Sequence, residues 1–360
     1  MHLSFCFQIH WIKSILGNAH CWIPLFPIIM RVLELLTTVE IDITSSIDNI
    51  QTFLSCAKHD LDDEVNWLKS QCIDIVYADV PPLPILAAKV RHDEAHNKLA
   101  CIPSFIVSNF TFDTIYEHFA SGSSSDQEIQ SIRAIAKELQ DMYSKASYLI
   151  RIPGYIPMPH PEIKLMDVPL LTRSFKTPRN VIRERFKIPI DSLCVFVTLG
   201  GFDIQDLKLI NLPDKWYCLI GSPSKTILPK NTERIRFFSS KDFYIPDIIE
   251  ASDVVLGKLG YSTCAECNNA LINLVAVSHN KPFIFVPRLL FCEQDGILSN
   301  LMIPFGRCVQ MTLEDFNNGS WERFILEAFH LSIPHKKITS DGHVHIVNLI
   351  ENITMNGLNI

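Results

Sequence analysis

Residues 253–267 read DVVLGKLGYSTCAEC. An apolar β-branched run that stops at a glycine marks a strand buried on both faces, and the polar residues after the second glycine mark the start of a helix. Three chemistries compete for this strand, glycine turn and helix. Cys264 and Cys267 form a CxxC pair that invites a metal or redox role. Gly257 and Gly260, followed by Ser262 and Thr263, invite a phosphate. Glu266 is either the third member of a Thr-x-x-Glu capping box with Thr263 or a carboxylate that accepts ribose hydroxyls.

The cysteines decide against metal. Eleven of them are scattered through runs such as SLCVFV and WYCLIG, an odd number without repeated spacing. CxxC occurs once, and His279 and Cys292 do not complete a finger or ribbon spacing. Cys264 and Cys267 are therefore expected to be free thiols on the buried face of the helix, with no metal site, in a reducing, cytoplasmic setting.

The chain has 360 residues, of which 48% are hydrophobic and 20% charged, enough for two domains with cores of their own. A net charge of -7 without a lysine or arginine run argues against a nucleic-acid partner. The apolar stretch CWIPLFPIIM (21–30) is too short to cross a bilayer and is broken by two prolines, so no stable membrane insertion and no signal peptide are expected. Oligomeric state is not readable.

The deciding pattern recurs along the chain: CIDIVYAD (72–79), PSFIVSN (103–109), SYLIRIP (147–153), CVFVTLG (194–200), WYCLIG (216–221) and PFIFVPR (282–288) alternate with helix-length segments. Near-continuous apolar strands separated by helices specify α/β architecture with parallel sheets covered on both faces. Between 153 and 191 the pattern lapses into a proline-rich stretch, which divides the chain. The expected organisation is an N-terminal Rossmann-like, acceptor-side domain over 1–155, a connection over 156–190, a C-terminal Rossmann-like domain over 191–340, and a helix and tail over 341–360.

Ligands of open parallel sheets bind beyond the carboxyl ends of the strands. In the C-terminal half those ends are followed by Gly200 and Gly201, by Gly257, Lys258 and Gly260, and by Arg288 through Gln294. Arg288 is placed to pair with Glu293 or with a ligand phosphate. In the N-terminal half Asn109 and Asp113 follow a strand, where they either meet an acceptor or start a helix through an Asx turn. Asp79, before two prolines, is expected to cap a turn.

The stretches LIRIPGYIPMP (149–159), DVPLLTR (167–173), LPDKWYCLI (212–220), YIPDIIEASDVVLGKLGYSTCAE (244–266) and KPFIFVPR (281–288) together resemble the glycosyltransferase-like domain at the N-terminus of plant L-arabinokinases and in related stand-alone proteins. WLKSQCIDIVYADVPP and SNFTFDTIY fit as well, so the resemblance covers roughly residues 60 to 355. It implies a GT-B fold, two Rossmann-type domains facing across a cleft, with a nucleotide sugar, first of all a UDP-sugar, held by the C-terminal domain and no further cofactor. By that resemblance Gly200, Gly201, Gly260, Tyr261, Ser262, Thr263, Glu266, Glu293 and Gln294 fall at donor-loop positions, and Glu266 is favoured as a ribose ligand.

Three departures stand out. Residues 1–40 contain no glycine/histidine loop of the type GHGxGHA, so the first βα unit is expected to be lost or replaced, and no catalytic residue is assigned. Extra residues near NNALINLVA follow the donor loop, and KVRHDEAHNKLAC (89–101) is longer than the family's link. The kinase signature P-x-x-x-G-x-G-S-S-A is not found, so sugar kinase activity is not expected. Two functions remain: a hexosyltransferase that uses a nucleotide sugar, and a non-catalytic nucleotide-sugar-binding or regulatory module.

Overall fold

The computed structural model describes residues 34–35, 41–90, 92–93, 98–99, 102–123, 125–200, 210–222, 233–268, 280–288 and 290–355. Gly201, almost all of residues 1–40, and most of the two expected insertions lie outside the described residues. The chain divides into two compact units. One runs through Val168 and includes Leu289–Asp295; the other comprises Pro169–Arg288 and the chain from Gly296 onward.

The first unit is built on a four-stranded sheet, β1 (Val76–Ala78), β2 (Ser104–Ser108), β3 (Tyr148–Arg151) and β4 (Lys164–Asp167), in that order and parallel throughout. β2 is buried at every position, which is why SFIVS is uninterrupted by charge. The helices α1 (Ile43–Ser70), α2 (Leu83–Val90), α3 (Phe112–Gly122) and α4 (Asp126–Tyr143) complete the unit. On α1, Ile50, Phe53, Leu54 and Ala57 recur at helical spacing and are buried, and Asp42 caps its start by accepting the Ser45 amide at 2.9 Å.

The stretch expected to be a bare connection carries structure. β4 lies within it as an edge strand with three of its four residues exposed, and α5 (Arg179–Arg185) follows. A mixed, half-solvated edge strand lacks the apolar run that reveals a central one. The division between units falls at Val168 and Pro169, inside this stretch.

The second unit holds a six-stranded parallel sheet of β5 (Leu193–Thr198), β6 (Trp216–Ser222), β7 (Ile235–Ser239), β8 (Val254–Gly257), β9 (Pro282–Phe285) and β10 (Arg307–Gln310). Their spatial order is β7-β6-β5-β8-β9-β10. The chain thus builds outward from β5 to one edge, returns, and builds from β8 to the other, so the strand order reverses between β5 and β8. As expected from the sequence, the strands before Gly200, Lys258 and Arg288 are adjacent and parallel in one sheet. Its core contains Cys194, Val195, Phe196, Cys218, Leu256, Phe283, Trp216 and Trp321, all buried. α5 is fastened to α6 (Ile245–Ala251) and the sheet by Arg183, which donates to the Ala251 and Ser192 carbonyls and to Asp253 Oδ2, while Asp253 also accepts the Cys194 amide.

Candidate functional site

The reversal between β5 and β8 is where open α/β sheets offer a crevice beyond the strand ends. Gly257, the last residue of β8, is paired with Thr198 on β5. A Cβ at Gly257 would collide with the Thr198 carbonyl oxygen, so this glycine serves close packing of two strands. Gly200 has φ +70°, a conformation that favours glycine, and its amide donates to Thr198 Oγ1 at 3.1 Å. A Cβ built at Gly200 would lie 3.1 Å from Lys258 Cε and 3.7 Å from Nζ, and one at Gly260 would lie 3.8 Å from Cε. The half-buried Lys258 side chain therefore runs across both glycines, carrying an ammonium over the strand reversal.

The next helix, α7 (Tyr261–Cys267), begins three residues earlier than a capping box at Thr263 requires. Gly260, with φ -120° and ψ 140°, occupies the N-cap position without a side-chain cap. Its carbonyl accepts the Cys264 amide at 3.1 Å. Thr263 therefore lies in the first helical turn with Ser262, both half-buried, and the Thr263/Glu266 capping box is overturned. Tyr261 is buried, and its hydroxyl accepts the Leu171 amide at 3.0 Å.

Glu266 is buried in the unit and is met by Arg173. The guanidinium places Nε 2.7 Å and Nη2 2.6 Å from the same oxygen, Oε1, while Oε2 is buried and has no hydrogen-bond partner among the described residues. Burial pushes the Glu266 carboxyl up from its ordinary range, and the adjacent Arg173 charge and hydrogen bond oppose that push. Arg173 also stands over the half-buried Tyr244 ring at 5.4 Å, with Lys176 at 4.6 Å from the same ring.

Cys264 and Cys267 are buried on α7 and in no disulfide among the described residues, and burial raises the Cys267 thiol far above its ordinary value. Among the described residues no group of three or more His, Cys, Asp or Glu side chains is arranged to hold a metal ion. Arg288 is buried just beyond β9, where the Val286 amide donates to the Gly257 carbonyl at 3.0 Å and ties that strand end to β8.

Glu293 and Gln294, expected with the C-terminal donor loops, fall in the first unit. There Asn109 Nδ2 donates to Glu293 Oε1 at 3.2 Å. The Asp79 carboxyl, at the end of β1, is pushed up to about 7 by burial and by the Glu293 charge, with a Ser108 hydrogen bond opposing. Asp113 opens α3 and lies 3.4 Å from His160 Nε2, with both side chains buried. The strand ends of the first unit thus gather Asp79, Ser108, Asn109 and Glu293, of which the sequence singled out Asn109 and Glu293 for binding. Arg173 was not recognised as a site residue, although it closes the DVPLLTR motif. An arginine ending an apolar run just before a polar stretch was the available signal.

Two units, each on a parallel sheet, give the chain an α/β fold. In sequence it is similar to the L-arabinokinase of Arabidopsis thaliana, with 35% identity over 274 residues, which is 75% of this chain and 24% of that protein. The chain spans about a quarter of that relative's length. No protein-family model matches it. Among solved structures it is similar to the calicheamicin glycosyltransferase, with TM-score 0.49 and 10% identity over 81% of this chain and 74% of that one. It is also similar to MurG of Acinetobacter baumannii, with TM-score 0.42 and 14% identity over 82% and 78% of the two chains. A third is the spinosyn rhamnosyltransferase complexed with thymidine diphosphate, with TM-score 0.43 and 7% identity over 84% and 72%. No helix among the described residues is long and apolar enough to cross a membrane.

Proposed function

We propose that the second unit binds a nucleotide sugar, first of all a UDP-sugar, and that the chain transfers the hexosyl group to an acceptor hydroxyl. The observation that carries this is Lys258 laid across Gly200 and Gly260 at the strand reversal. A cation over two side-chain-free positions leaves backbone approach open to a diphosphate, in the crevice where open α/β sheets take such ligands. The positive charge and the amide of Ser262 would stabilise the departing diphosphate without a metal. Glu266 Oε2 supplies a hydrogen-bond acceptor for ligand hydroxyls, and Arg288 supplies a second cation. Asn109 and Asp113 serve the acceptor side. The cytoplasmic setting read from the thiols belongs to the same proposal.

The opposing possibility is a binding module without turnover. A thermal-shift panel of nucleotides and nucleotide sugars separates the outcomes. A ligand that binds only the folded state raises Tm in proportion to RT ln(1 + [L]/Kd). The proposal expects UDP and at least one UDP-sugar to raise Tm, and it expects slow hydrolysis or transfer from that donor. No shift at millimolar concentration with any nucleotide contradicts it. A shift without turnover under any acceptor leaves the binding module.

A further inference from the structure

Segment 169–173 enters the second unit under tight constraint. The Leu170 amide donates to the Thr339 carbonyl at 3.0 Å, and the Leu170 carbonyl accepts the Gly342 amide at 3.1 Å. Gly342 itself tolerates no Cβ, because one would run into the Pro169 carbonyl oxygen. The Leu171 amide then bonds to the Tyr261 hydroxyl on α7. Two residues later the Arg173 guanidinium reaches Glu266 on the same helix. Arg173 and Glu266 are thus fixed against each other by backbone anchors as well as by their own contact.

We propose that Arg173 is a positioning residue for the candidate nucleotide site: by taking Oε1 of Glu266 it fixes the carboxylate and leaves Oε2 to receive a ligand hydroxyl. This rests on the nucleotide reading of the second unit. Both guanidinium contacts converge on one oxygen, and the other oxygen is buried without a partner among the described residues, in a residue only 6% exposed. A buried carboxylate left unpaired would take up a proton and lose acceptor strength, and while charged it would repel an anionic nucleotide. Arg173 removes both difficulties, because it holds the anion and cancels its charge. Tyr244, whose ring faces Arg173 and Lys176, Asp247 on the helix after it, Lys176 itself and Cys267 on α7 are the other titratable groups of this corner.

The test uses the full chain, with UDP as the probe, in five forms: wild type, Arg173→Gln, Arg173→Lys, Glu266→Gln, and Arg173→Gln combined with Glu266→Gln. Calorimetry from pH 6 to 9 is paired with carbon-13 NMR of the Glu266 carboxyl. Without Arg173, Glu266 holds its proton to higher pH. Arg173→Gln is therefore expected to bind UDP about tenfold or more weakly at pH 7, with the loss shrinking toward pH 9, and its carboxyl resonance is expected to titrate at higher pH than in the wild type. Arg173→Lys is expected to recover part of the affinity. The double variant is expected to bind no more weakly than Glu266→Gln alone. Unchanged affinity and an unchanged pH profile in a folded Arg173→Gln overturn the proposal. If the wild type does not bind UDP, the nucleotide reading fails by itself, and an unchanged Glu266 titration in Arg173→Gln then overturns this proposal too. Should Arg173→Gln not fold, Arg173→Lys decides: a shift in both the Glu266 titration and the UDP affinity supports the role, and no shift in either overturns it.

Discussion

Gly257 on β8 and Thr198 on β5 are register partners, and a Cβ on Gly257 would stand inside the Thr198 carbonyl oxygen. Two strands meet so closely at the reversal of the sheet that the residue there can carry no side chain. Gly257→Ala is therefore expected to destabilise the protein by roughly 1–3 kcal/mol, through forced displacement of packed backbone. Denaturant unfolding measures it. A variant as stable as the wild type would show that β5 and β8 part more readily than their packing implies.

Lys258 separates charge recognition from shape. Replacing it with methionine keeps much of the stem that covers Gly200 and Gly260 and removes the ammonium. A charge-assisted hydrogen bond is worth about 1.5–3 kcal/mol. Lys258→Met is therefore expected to weaken UDP binding by about tenfold or more while leaving uridine affinity nearly unchanged. Equal losses for UDP and uridine in competition titrations would remove the diphosphate from Lys258.

The fold was legible wherever both faces of a strand are buried. SFIVS, CVFVT, VVLG and PFIF are free of charge and mostly apolar because helices cover the sheet on each side, so composition alone exposes them. KLMD, IRFFS and RCVQ went unread because β4, β7 and β10 are sheet edges, where charge and apolar residues mix. The same division holds at the site. The glycine turn at 257–260 is local and could be read from spacing. Glu266 meets Arg173 across 93 residues of chain, and no local pattern encodes that pairing. The capping box failed for a related reason: Gly260 can supply the extended N-cap backbone with no side chain, so the helix starts before Thr263.

Glu64, buried on α1, carries a carboxyl that burial raises from 4.5 to about 7. Between those values the folded state holds a proton that the unfolded chain has released, so this group's contribution to stability falls as pH rises through the window. Glu64→Gln is expected to raise stability by on the order of 1 kcal/mol at pH 8, allowing for partial solvent contact, and to have no effect at pH 4. Melting curves at the two pH values check it. Equal gains at both would assign the effect to packing.

Thiol exposure distinguishes the free-cysteine state from a metal or redox site. Cys72 is exposed, whereas Cys194, Cys218, Cys264 and Cys267 are buried. Brief alkylation of the native protein, read by peptide mass spectrometry, is expected to modify Cys72 and to spare those four until denaturant is added. Rapid modification of Cys264 or Cys267, or one zinc retained per chain, would return the CxxC pair to consideration.

The central claim is that the glycine turn and α7 form a nucleotide site, and Glu266 tests it most directly. With the capping box excluded, Glu266→Gln has no cap to preserve, and it removes the carboxylate charge that pairs with Arg173 and would meet the ligand. Isothermal calorimetry with UDP, on wild type and Glu266→Gln of verified fold, is expected to show binding by the wild type and an affinity about tenfold or more lower in the variant. Equal affinities in the two folded proteins, or no heat of binding from the wild type at millimolar UDP, would contradict the account.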